Sequence, residues 1–142
     1  MTINEKQDEI IEEFDLFDDP LDKTQYIIDL GKKLPPLSDQ YHQDRNLIPG
    51  CQSKVWLHSE MRGEVAHFEA DSEPTAQISK GLVSLLIRVL NDEKPEHIAA
   101  ADLYFIDRIG LSSLVTSRRA GGLASMLRKM KEFAVANAAV NS

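Results

Sequence analysis

The chain has 142 residues, 42% of them hydrophobic and 27% charged. That suits one compact domain, 1–142, whose core needs neither disulfides nor a structural metal. The formal charge of −7 excludes a dominant nucleic-acid surface, since phosphate binding needs a concentrated positive footprint. A single cysteine, Cys51, excludes an intrachain disulfide, a Cys-x-x-Cys redox pair and a multi-cysteine metal or cluster site within one chain.

No apolar run reaches membrane-span length, and Met1–Glu5 lacks the basic start and apolar stretch of a signal peptide. Cytoplasmic residence is the expectation, with the lone thiol kept reduced. Charge is unevenly spread. Nine acids between Glu5 and Asp22 face one lysine, Lys6, whereas Arg108, Arg118, Arg119, Arg128, Lys129 and Lys131 have no acid among them. The acidic stretch reads as a solvated face. The basic stretch reads either as a solvated face or as a surface for a partner.

In chain order, Thr2-x-x-Glu5 has the form of a capping box, and Ile3, Ile10, Ile11 and Phe14 share one helical stripe. Asp19-Pro20 opens a second helix with Tyr26, Ile27, Leu30 and Leu34 as its apolar face, stopped by Pro35-Pro36. Residues 37–50 are polar and turn-rich. Lys54–His58 reads as a strand, Arg62-Gly63 as a turn, and Glu64–Ala70 alternates with Ala66, Phe68 and Ala70 on one side. Asn46-Leu47-Ile48 is a candidate third strand.

Asp71-Ser72-Glu73-Pro74 reads as a helix start, with Asp71 and Ser72 as caps. Ile78, Leu82, Leu85, Leu86 and Val89 then form the clearest core stripe of the chain. Short helices follow at Lys94-Pro95-Glu96 and around Tyr104-Phe105-Ile106, the latter ended by Gly110. Thr116-Ser117 opens a last long helix carrying Leu123, Met126, Leu127, Met130 and Phe133, its methionines filling core. The pattern predicts an α+β domain with a small antiparallel sheet of about three strands and helices on one face.

Cys51 stands at the junction of a loop and a strand. A lone cysteine is more often a small buried hydrophobe than a nucleophile. Pro49-Gly50 is a turn pair, Gly50 gives the backbone shapes that lift the next side chain out of the strand, and Gln52 and Ser53 are polar neighbours unlike those of a core cysteine. One accessible thiolate is all that attack on the outer sulfur of a partner's persulfide requires.

The stretch Leu47-Ile48-Pro49-Gly50-Cys51-Gln52-Ser53-Lys54-Val55-Trp56-Leu57 resembles the signature of SufE-type proteins, sulfur acceptors of iron–sulfur cluster assembly. Asp71-Ser72-Glu73, Lys80-Gly81-Leu82, Arg119 with Gly122-Leu123, and the early Tyr26–Gly31 and Leu34-Pro35 agree with it. The resemblance implies the small fold shared with the scaffold IscU. It also implies that Cys51 takes persulfide sulfur from a SufS-type cysteine desulfurase, stimulates that enzyme and passes the sulfur to a SufBCD-type scaffold complex. The chain would carry no cofactor and no metal of its own, the pyridoxal phosphate belonging to the desulfurase. It would act as a monomer or weak homodimer, away from nucleic acid and membrane. The sequence departs from the family at Leu114, Ser117 and Gly121, before and within the start of the last helix.

Gly50, Gln52, Ser53, Trp56, Asp71, Lys80 and Arg119 are the expected supporting or partner-contacting residues. Trp56 is expected in the core or as a lid beside the cysteine loop. Lys80 is expected to be exposed, and Arg119 to pair with an acid such as Asp71. His58 and His67 fall on facing strands, and a zinc site formed with Cys51 is the weak alternative. The competing functions are a cysteine hydrolase or acyltransferase, which needs a histidine base at the thiol, and a metal-binding scaffold of the IscU kind. The thiol is expected to rest sheltered and swing out on docking.

Overall fold

The computed structural model describes residues 1–51, 53–110 and 117–141, and in the last helix the side chains of 122–138. Helix α1 spans Ile3–Phe14 and α2 spans Pro20–Lys32. Two single 3-10 turns, Asp39–Tyr41 and Asp44–Asn46, lead into strands β1, Val55–Arg62, and β2, Val65–Ser72. Helices α3, Gln77–Leu90, α4, Pro95–Ala100, α5, Phe105–Arg108, and α6, Ser117–Asn141, complete the chain.

The helix starts follow the local chemistry. At α1 the Thr2 side chain accepts from Glu5 N–H while the Glu5 carboxylate accepts from Thr2 N–H, the reciprocal cap anticipated from sequence. At α2 the Asp19 carboxylate accepts from Leu21 N–H, and Pro20 fills the first turn. The opening of α3 differs from expectation. Strand β2 continues through Asp71 and Ser72, paired with Trp56 and Val55, so neither residue caps a helix. The helix starts at Gln77 without a side-chain cap.

The sheet has two strands rather than three. Leu47 makes a single bridge to Trp56, and Ile48 N–H donates to the Val55 carbonyl at 2.9 Å. A lone bridge covers one edge of β1 without adding a strand. The outer edge of β2 is covered by the chain leaving α3. Ala66 N–H donates to Glu93 O, and Asp92 N–H to Ala66 O, both at 2.9 Å. The Asn91 side chain accepts from Phe68 N–H at 2.6 Å and donates to Phe68 O at 3.2 Å. Part of each sheet edge is thereby already paired within the chain.

Alternation puts Val55, Leu57, Ala66, Phe68 and Ala70 inward, all buried. They pack with the stripe of α3, with Ile10 and Phe14 of α1, and with Leu123, Met126 and Met130 of α6. The methionines are core filler, as expected. Helices α2 and α3 approach until their backbones touch. A methyl on Gly81 would stand 2.2 Å from the Ile27 carbonyl oxygen, and one on Gly31 2.7 Å from Gly81 N. Only glycine permits that approach, and it fixes the start of α3, which faces the cysteine loop.

Polar side chains also lock the helices together. The fully buried Gln7 donates to Asp102 O and accepts from Phe105 N–H, each at 3.1 Å, joining α1 to α5. Arg88 of α3 reaches Glu9 at 2.8 Å and Glu13 at 3.0 Å on α1, and Glu13 also receives the Tyr26 hydroxyl of α2. The acidic N-terminal face is therefore partly paired rather than simply solvated.

Candidate functional site

Cys51 sits in a loop, residues 49–54, whose two ends are tied together. Ile48 N–H to Val55 O closes its base, and Glu73 N–H donates to Lys54 O at 2.9 Å. Ser53 shares a 2.8 Å hydroxyl–hydroxyl hydrogen bond with Thr75, before α3. From the other side, Lys129 of α6 donates to the carbonyl of Leu47 at 2.9 Å and approaches that of Arg45 at 3.4 Å. Pro49 and Gly50 are exposed, and Gly50 takes φ 84°, the left-handed turn that its place before the cysteine foreshadowed.

The thiol turns inward from this loop and is partly buried against the core. The Ser79 side chain, in the first turn of α3, acts on the thiol from that side. Across from it lies the buried Gly122 of α6, where a methyl would come within 2.8 Å of Sγ. Burial pushes the Cys51 thiol above the ordinary cysteine range, and the Ser79 hydroxyl offsets part of that rise. At rest the sulfur is partly sheltered and its neutral form is favoured, which quiets it as a nucleophile. Beside it a cleft of about 150 Å³ is lined by Ile28, Ser53, Thr75, Gln77 and Ser79.

The other expected residues divide. Ser53 ties the loop to Thr75. Trp56 is no lid. It leaves β1 on the face away from the core, with its ring edge-on to His42 at 4.8 Å. Asp71 accepts from Ser72 N–H at 2.8 Å and Leu37 N–H at 3.4 Å, and it faces Lys80 at 3.4 Å and His42 at 3.3 Å. Burial raises the Asp71 carboxyl, but those N–H donors and the Lys80 ammonium outweigh it and hold the group below its usual value. Lys80 is thus a partly buried partner of Asp71 and not an exposed steering charge. Gln52, Leu114 and the side chains of Arg119, Ser117 and Gly121 lie outside the described residues.

The histidines do not form a site. In the strand register His58 faces Glu69 and His67 faces Glu60, and each lies close to a carboxylate, His58 to Glu60 at 2.9 Å and His67 to Glu69 at 3.3 Å. Tyr41 stacks on His58 at 3.6 Å. Among the described residues no three His, Cys, Asp or Glu side chains are grouped to hold a metal ion. The basic stretch is partly structural, since Lys129 ties down the cysteine-loop approach and Lys131 donates to Ala101 O. No helix of the described chain is long and apolar enough to cross a membrane.

Sequence reasoning missed Ser79 and Gly122 as neighbours of the thiol. Gly122 was visible as part of the Arg119-x-x-Gly122-Leu123 stretch. Ser79 gave no signal, because its role depends on where the close glycine contact sets α3.

Fold and loop together define a small α+β protein with one sheltered thiol at a loop tip. Residues 8–134 match the SufE family model, described as an Fe-S metabolism associated domain, and the chain belongs to that family. It is 36% identical over 137 residues to an uncharacterized SufE-like protein of Rhizobium etli, covering 93% of this chain and 91% of that one. It is 34% identical over 132 residues to an uncharacterized SufE-like protein of Rhizobium meliloti, covering 89% and 93%. The solution structure of a hypothetical protein from Thermus thermophilus has the same fold. The TM-score is 0.76 at 22% identity, over 96% of this chain and 97% of that one.

Proposed function

We propose that this protein is a sulfur carrier of iron–sulfur metabolism that works through Cys51 and has no catalytic turnover of its own. The observation that supports this best is the single thiol in a loop whose two ends are tied together, in a chain of the SufE family. The Cys51 thiolate attacks the outer sulfur of a persulfide on a SufS-type cysteine desulfurase. The donor's S–S bond breaks, its cysteine leaves as a thiolate with the electron pair, and Cys51 becomes the persulfide. Removing that product stimulates the desulfurase, whose pyridoxal phosphate does the carbon–sulfur chemistry. The sulfur then passes to a SufBCD-type scaffold in the cytoplasm.

The chain needs to supply a reachable sulfur, a shelter for it and a surface for the donor. Gly50 and Ser53 shape the loop, and Ser79 and Gly122 line the resting place of the thiol. A hydrolase or acyltransferase reading would need a histidine base at the thiol, and the side chain that acts on the thiol among the described residues is Ser79.

The test is incubation with a SufS-type desulfurase and cysteine, without reducing agent, followed by mass spectrometry. Cys51 is expected to gain the mass of one sulfur atom and to raise desulfurase turnover. Cys51→Ser is expected to lose both effects and keep the fold. A wild-type chain that never acquires the adduct contradicts the proposal.

A further inference from the structure

We propose that Gly122 is a positioning residue for Cys51: the space left by its missing Cβ is the space the resting sulfur occupies. A methyl built at Gly122 stands 2.8 Å from Sγ, well inside van der Waals contact, but 3.8 Å from both Cys51 Cα and the Gly50 carbonyl oxygen. The conflict is therefore with the sulfur alone and not with the loop backbone. Helix α6 cannot relieve it, because Leu123 and Met126 fix the helix in the core immediately after Gly122. What yields is the cysteine side chain, which leaves by rotation about its Cα–Cβ bond. The Ser79 side chain, from α3, offsets part of the rise that burial causes in the Cys51 pKa. Gly122 sets the balance between sheltered and presented thiol.

This inference takes its functional meaning from the carrier reading, but its test needs only the purified chain. The rate at which native Cys51 reacts with iodoacetamide is measured against pH, in wild type, Gly122→Ala and Ser79→Ala, with thermal unfolding alongside. Gly122→Ala is expected to react about tenfold faster near neutral pH, because an evicted thiol loses its shelter and ionises more readily. Its pH midpoint is expected to fall toward that of the unfolded chain, with little change in melting temperature. Ser79→Ala, which keeps the space but loses the hydroxyl, is expected to react more slowly than wild type.

A merely structural glycine would change the melting temperature and leave the pH midpoint where it was. Unchanged rate and midpoint in Gly122→Ala overturn the inference, as does a faster rate that appears only together with global unfolding. Should Gly122→Ala fail to fold, Cys51→Ala/Gly122→Ala decides. Recovery of the fold on removing Sγ supports the contact, and no recovery overturns it. If Gly122→Ala exposes the thiol while wild type takes no sulfur from the desulfurase, the carrier reading fails and the positioning role stands.

Discussion

At the scale of single residues, the protonation of Cys51 governs when it reacts. Its sulfur lies partly buried against the core, so the folded chain favours the neutral thiol. A raised pKa means that the folded state holds this proton more tightly than the unfolded one. The associated stability is fully present below the unfolded thiol's pKa and is lost as pH rises through the higher folded value. Reactivity has the opposite slope, because only the thiolate attacks. Native Cys51 is therefore expected to react with a small alkylating reagent along a pH curve displaced to higher pH than the same cysteine in urea. Parallel stopped-time alkylations of folded and unfolded chain test this, and coincident curves would contradict it. In the proposed carrier role such a thiol is best kept quiet, since a free persulfide or thiolate in solution reacts with whatever arrives first.

Among the elements, the hairpin shows what local pattern reveals and what it does not. The alternation of Ala66, Phe68 and Ala70 was legible because a two-residue period leaves an unmistakable buried face. Where β2 ends was not legible. Asp71-Ser72-Glu73-Pro74 has the composition of a helix start, yet pairing with Val55 and Trp56 continues to Ser72, because cross-strand pairing outweighs capping preference. The cover on the outer edge of β2 left no trace in periodicity either, since it combines two backbone bonds at Ala66 with one amide side chain, Asn91, reaching both backbone groups of Phe68. Asn91→Ala leaves that N–H and C=O without their partner beside the buried Phe68. The expected loss is about 1–3 kcal/mol in urea unfolding, with faster hydrogen exchange at the Phe68 amide. An unchanged exchange rate there would show that the edge is held by the Ala66–Glu93 and Asp92–Ala66 bonds alone.

For the whole molecule, the question is how so acidic an N-terminal helix stays docked on a chain of charge −7. The stripe Ile3, Ile10, Ile11 and Phe14 accounts for the apolar part, and it was readable from sequence. The polar part was not, because Gln7 meets Asp102 and Phe105, and Arg88 and Tyr26 meet Glu13, only after α1 packs on α5, α3 and α2. Arg88 is the central member, joined to Glu9 and Glu13 while Tyr26 donates to Glu13. The hydrogen bond from Arg88 leads in holding the Glu13 carboxyl below its ordinary value. Burial and the bond to Glu13 push the Tyr26 hydroxyl up to about 12. Side chains here keep roughly a third of their surface, 31% for Arg88 and 28% for Glu13. The loss on Arg88→Ala is accordingly expected to be about 1–2 kcal/mol, between an exposed ion pair and a fully buried one. The pH dependence carries the sign. A depressed carboxylate contributes stability above its unfolded pKa and loses it as pH falls through the folded value. Wild type and Arg88→Ala are therefore expected to differ most near neutral pH and to converge as pH drops through the range where Glu13 protonates. Urea unfolding of both proteins across that range measures the gap. A difference that stays constant into acid would assign the loss to the packing of the Arg88 stem rather than to its charge.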